Sequence, residues 1–136
     1  MPPFSENLSS EGIDSELYFR YIMQCIAGEN DVVKGIRKAT ELTKNLGEAN
    51  FLLSDGKNLY AYCWGNSLYI LERKYTRPLE CASPETNALI SSKLLAFEQA
   101  VIVASEELTY DENWKALEDD TLVIVNPKLE SSYLKL

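Results

Sequence analysis

The stretch from Asn50 to Arg73, NFLLSDGKNLYAYCWGNSLYILER, constrains the fold more than any other part of the chain. Three apolar runs are separated by two turn signals, Asp55-Gly56 and Gly65-Asn66-Ser67. An Asp-Gly pair between apolar runs favours a hairpin, because glycine adopts positive φ at no steric cost. The pattern predicts a three-stranded antiparallel meander. Side chains alternate along a strand, so Leu59, Ala61 and Cys63 point one way and Tyr60, Tyr62 and Trp64 the other. In the third run Leu68 and Ile70 lie opposite Tyr69 and Leu71. Neither face is polar, and a sheet with two apolar faces requires a layer on each side.

The segments around the meander supply candidate layers. Residues 1–11 read as a loose entry with Pro2-Pro3 followed by polar residues. Asp14 opens a helix: it is an N-cap residue type, Glu16 suits the first turn, and Leu17, Tyr18, Tyr21, Ile22, Cys25 and Ile26 recur at helical spacing up to Gly28. Asn30 or Asp31 caps a second helix with Val33, Ile36, Leu42 and Leu46 in its stripe and Gly47 as its stop. Two helices joined this closely form an antiparallel pair able to cover one sheet face only.

After the meander, Lys74 to Ser92 reads as irregular, with a short helical segment near Asn87 to Leu95. The run from Gln99 to Ser105 has the length and β-branched content of a buried strand. Glu106 to Leu117 reads as a turn or short helix, Leu122 to Val125 as a last strand, and residues 128–136 as a tail. The fold class expected is α+β, two helices packed on an antiparallel sheet of about five strands, within one domain spanning residues 12–127.

Composition narrows the function classes. A net charge of −8 repels phosphate backbones and anionic membranes, so neither nucleic acid nor membrane is an expected partner. No apolar run approaches the roughly 20 residues of a spanning helix, and the N-terminus lacks the basic and apolar regions of a signal peptide, which makes the cytoplasm the expected location. Cys25, Cys63 and Cys81 are widely spaced, and the chain contains no histidine. That combination speaks against a zinc site and a disulfide framework, and excludes Ser-His-Asp and Cys-His catalysis by these residues. No metal or cofactor is expected.

Three places carry groups that chemistry could use. Asp14 reads as a helix cap and, alternatively, as a carboxylate offered to a ligand ammonium group. Ser105 and Glu106 leave a strand end, where functional groups are often presented, but no base is at hand to activate the serine. Glu118-Asp119-Asp120 reads as a solvated turn without the spacing of a calcium loop.

Asp14-Ser15-Glu16 opening a helix, the hairpin from Asn50 to Tyr62, and Val103-Ala-Ser-Glu-Glu-Leu-Thr109 followed by Trp114-Lys-Ala-Leu117 together resemble the class II glutamine amidotransferases. The likeness runs over about residues 10 to 127 and is greatest to the small stand-alone branch, which includes predicted amidotransferases and γ-glutamyl hydrolases acting on glutathione-like or ergothioneine-pathway substrates. The resemblance implies the N-terminal-nucleophile hydrolase sandwich of helices, sheet, sheet and helices. It also implies a nucleophilic N-terminal cysteine whose own α-amino group acts as base, an arginine for the substrate carboxylate, and an Asn-Gly oxyanion pair.

No residue here matches those groups, and removal of Met1 would expose Pro2, which cannot act as that nucleophile. One residue carries over: the family's aspartate that holds the glutamine α-ammonium falls on Asp14, although Ile13 stands where threonine is usual. The resemblance assigns Ser105 and Glu106 a structural part. The sequence is therefore expected to be the C-terminal half of such a domain, catalytically incomplete alone. Its expected partners are a missing N-terminal half and, if completed, glutamine or a γ-glutamyl compound. The alternative expectation is a non-catalytic module that forms a homodimer through an uncovered sheet face, lined by Tyr60, Tyr62, Trp64, Tyr69 and Leu71 or by the opposite set.

Overall fold

Asp31 caps a helix: its carboxylate accepts a hydrogen bond from the Lys34 backbone N–H at 2.9 Å, which supplies a partner to one of the unpaired donors of the first turn. The computed structural model describes residues 15–73 and 99–136. It divides into two compact units, Met1–Ala49 and Asn50–Leu136. Asp14, Cys81, the loose entry and the expected helical segment near residues 87–95 lie outside the described residues.

The first unit contains α1 (Ser15–Glu29) and α2 (Val32–Thr43), which pack on each other. The expected stripe of α1 holds, with Tyr18, Ile22 and Cys25 buried. That of α2 is narrower and more polar than expected: Gly35, Ile36, Ala39, Thr40 and Thr43 are buried, whereas Leu46 is exposed. Small residues let the two helices approach closely. A Cβ at Gly35 would fall under 3.0 Å from the Ile26 backbone. Thr43 meets its burial by donating to the Ala39 carbonyl at 3.1 Å and by pairing with the Tyr18 hydroxyl at 3.2 Å.

The described residues of the second unit form seven strands in two antiparallel sheets, where one sheet of about five strands was expected. Strands β1 (Phe51–Ser54), β2 (Leu59–Cys63), β6 (Thr121–Val125) and β7 (Ser131–Lys135) form one sheet in the order β1-β2-β6-β7. Strands β3 (Tyr69–Arg73), β4 (Ala100–Ala104) and β5 (Lys115–Ala116) form the other, in the order β4-β3-β5. The α+β class stands. The first hairpin is as expected: Asp55 Oδ1 accepts from the Lys57 and Asn58 N–H groups at 2.9 and 2.7 Å, and Gly56 takes φ +85. Those backbone donors, that of Asn58 first, hold the Asp55 carboxyl below its ordinary range.

The expected meander breaks after β2. The segment Trp64–Ser67 carries the chain from one sheet into the other, and β6 takes the place beside β2. Side chains pin this corner. Asn50 accepts from the Trp64 N–H at 2.7 Å and donates to the carbonyls of Asn66 and Ser67 at 3.1 and 3.2 Å. Asp119 accepts from the Gly65 N–H at 2.9 Å, Asp120 donates its N–H to the Cys63 carbonyl at 2.7 Å, and Leu117 donates to the Leu68 carbonyl at 2.8 Å.

Because β3 leaves for a second sheet, the two sheets cover each other. Ala61, Cys63, Val123 and Val125 of one meet Ile70 of the other together with Leu68, in one buried cluster flanked by Leu59, Val101, Val103 and Leu117. On the opposite face Tyr60, Tyr62 and Leu122 are also buried, at 4%, 1% and 0% exposure. Leu71 is buried as well. Tyr60, Tyr62 and Leu71, three of the residues expected on an uncovered face, are thus buried in the single chain, and Trp64 and Tyr69 are half-buried. Two more differences concern the ends of the second unit. Residues 128–136, expected as a tail, contribute β7, and the expected buried strand β4 lies at the edge of its sheet among the described residues, half-buried along its length.

Two substitutions test this packing. Asn50→Ala removes the acceptor of Trp64 N–H and the donor to two carbonyls, and is expected to lower unfolding free energy by about 1–3 kcal/mol in urea denaturation. Gly35→Ala is expected to cost a similar amount, about 1–3 kcal/mol, by forcing α1 and α2 apart. A change under about 0.5 kcal/mol, the size of an ordinary surface substitution, would contradict either contact.

Candidate functional site

Glu72 and Arg73 end the apolar strand β3 with two charges, and the fold brings distant residues to both. The Arg73 guanidinium donates to Glu112 Oε1 at 2.7 Å with its side chain 1% exposed. A buried charge is tolerated only where paired and hydrogen-bonded, so Glu112, 39 residues away, fixes where the loop before β5 lies. That loop is tied again where Trp114 Nε1 donates to the buried Thr109 hydroxyl at 2.9 Å. Glu72 emerges on the other face of β3 and accepts a hydrogen bond from the Tyr133 hydroxyl of β7 at 2.7 Å, across 61 residues. The Lys115 ammonium of β5 sits over the Tyr133 ring, 5.8 Å from its centre.

Beside these pairs opens a cavity of about 390 Å³, lined in part by Glu72, Arg73, Gln99, Lys128, Glu130 and Ser131. Its carboxylates are engaged: Glu72 with Tyr133, and Glu130 with the Asn126 amide at 2.7 Å. Its lining includes one hydroxyl, that of Ser131, which is hydrogen-bonded to neither carboxylate. It offers binding surface rather than a nucleophile.

The residues singled out from sequence occupy separate places. Asp14 is outside the described residues. Ser105 and Glu106 are exposed at the exit of β4, and the Ser105 carbonyl accepts from the Ser67 hydroxyl at 3.0 Å, an anchoring contact between two loops. In the acidic turn, Asp119 and Asp120 serve the corner: Asp119 accepts from Gly65 N–H, and Asp120 Oδ1 accepts from the Tyr62 hydroxyl at 2.7 Å. No cluster able to hold a metal ion occurs among the described residues.

Cys25 and Cys63 are free and buried. Burial raises both thiols; for Cys63 the neighbouring Asp119 charge adds to the rise. Neither is poised as a thiolate. The Arg73–Glu112 and Glu72–Tyr133 pairs were not anticipated. The one signal in the sequence was a charged pair closing an otherwise apolar strand.

The family model described as "Glutamine amidotransferases class-II" matches residues 11–128. No curated protein shows significant similarity to the chain. No helix among the described residues is long and apolar enough to cross a membrane.

The Tyr133 phenol is pushed up to about 12, first by burial and then by the adjacent Glu72 carboxylate. Its raised value means that the fold favours the neutral phenol. That stabilisation is full below pH 10 and is lost as pH rises from 10 through about 12. Site-resolved NMR titration is expected to place the Tyr133 midpoint near 12, with Glu72→Gln bringing it part of the way down. A midpoint unmoved by Glu72→Gln would contradict the pairing.

Proposed function

We propose, from the premise that the chain belongs to the class II glutamine amidotransferases, that these residues provide the scaffold and the substrate-ammonium contact for hydrolysis of glutamine or a γ-glutamyl amide. The observation that carries this reading is the family match over residues 11–128, which includes Asp14 and both sheets up to the end of β6. The assigned contact is Asp14. Its carboxylate holds the α-ammonium of a glutamyl group at the entrance of α1, where a carboxylate also suits the helix N-terminus.

The chemical step requires a nucleophile. Attack on a γ-carboxamide needs a thiolate or alkoxide, a base to generate it, and donors for the oxyanion. Cys25 and Cys63 are buried with raised thiols, and Ser105 has no described base beside it. The family's N-terminal cysteine, arginine and Asn-Gly pair have no counterpart among these 136 residues. We assign those groups to polypeptide other than these residues, so that the chain alone binds without turning over. The likeness to the small stand-alone branch makes a γ-glutamyl amide the substrate class to try beside glutamine.

The 136-residue protein is expected to release no glutamate from glutamine or γ-glutamyl amides above the buffer blank, while glutamine shifts NMR signals at the start of α1. Asp14→Asn is expected to abolish those shifts. Glutamate release that follows the protein through successive purification steps would overturn the inactivity. Unchanged glutamine shifts in Asp14→Asn would overturn the role of Asp14.

A further inference from the structure

Each sheet has two edges, and three of the four outer strands carry features that discourage further pairing. β1 is four residues long and runs into the Asp55-Gly56 turn; β5 has two residues, one of them Lys115; β7 carries Ser131, Ser132 and Lys135. Short strands, lysines and turns are the usual means of protecting an edge. β4 has none of them. It reads Ala100-Val-Ile-Val-Ala104, with no charge, proline or glycine, and is half-buried at every position. Among the described residues it pairs with β3 alone, in the register Ile70↔Val103 and Leu71↔Ile102.

The sequence of β4 is also a palindrome centred on Ile102. In an antiparallel pair of identical strands centred on that residue, Ile102 lies opposite Ile102, Val101 opposite Val103 and Ala100 opposite Ala104. Every cross-strand pair is then an apolar match of equal size, and the flanking Gln99 and Ser105 oppose each other without charge. An isologous contact uses the same patch on both subunits, and this register lets β4 meet itself with matched apolar pairs throughout.

We propose that the edge of β4 left open by the described strands binds β4 of a second copy of this chain. The two three-stranded sheets then join into one of six strands, in the order β5-β3-β4-β4-β3-β5. The contact satisfies the outward backbone groups of β4. It also extends the inter-sheet core, since Val101 and Val103 already flank the buried cluster. It differs from pairing through the Tyr60/Tyr62 face, which is buried within each copy. It does not depend on the amide chemistry proposed above.

Sedimentation equilibrium of the full chain, at about 0.15 M salt to screen the charge of −8 on each copy, is expected to give a dimer at micromolar concentration. The register is read by cross-linking in a Cys81→Ser background. Opposed antiparallel residues lie about 4.5 or 5.5 Å apart between Cα atoms, within disulfide reach. Oxidised Ile102→Cys is therefore expected to run as a covalent dimer. Ala100→Cys, whose two copies lie about 14 Å apart in this register, is not. A wild-type monomer would overturn the proposal whatever the variants do. A wild-type dimer in which folded Ile102→Cys fails to cross-link, or in which Ala100→Cys cross-links equally, would overturn it too. If Ile102→Cys does not fold, Ile102→Lys replaces it: the axis sets the two lysines against each other, and a dimer undiminished at equal circular dichroism would overturn the assigned centre.

Discussion

The second unit depends on how the chain turns at Trp64–Ser67. Left to local preference, β3 would fold back beside β2. The Asn50 side chain prevents this by engaging three backbone groups of the corner, and the Asp119 carboxylate engages a fourth at Gly65. Three of these contacts are exposed and that of the Trp64 N–H is half-buried, so the side chains hold the bend where water would otherwise compete. The partners here are side chains rather than a neighbouring strand, which frees the edge of β2 for β6. From that exchange come the two facing sheets and the shared core around Ala61, Ile70 and Val123.

Polar residues that resemble a site in the sequence are therefore part of the frame. The acidic turn Glu118-Asp119-Asp120 reads as solvated, yet two of its members hold Gly65 and Tyr62. Glu72 and Glu112 similarly tie β3 to β7 and to the loop before β5. The family assignment and this geometry agree on one division of labour: sheets and corner supply rigidity, while the chemistry of an amidotransferase needs groups that are not among the described residues.

What could be read from sequence follows the range of the interactions. Short-range signals succeeded: Asp55-Gly56 gave a hairpin, Asp31 a cap, and Tyr18, Ile22 and Cys25 a helix face. Gly65-Asn66-Ser67 announced a turn, but whether it closes a hairpin or carries the chain to another sheet depends on Asp119, 54 residues away. The α2 stripe was misjudged because its close approach to α1 favours Gly35, Ala39 and Thr43 over larger apolar residues. β7 was missed because only Leu134 and Tyr133 are apolar within Ser131–Lys135, and its place is set by pairing with β6. Asp14 drew its meaning from family likeness, as a cap and a ligand contact look alike in one sequence.

The central claim is that β2 and β3, though consecutive, lie in different sheets that face each other. Nuclear Overhauser contacts decide it directly. The fold predicts cross-strand backbone contacts between β2 and β6 and between β3 and β4, and side-chain contacts from Ala61 and Val123 to Ile70 across the core. Backbone cross-strand contacts between β2 and β3, the pattern of a simple meander, would contradict it.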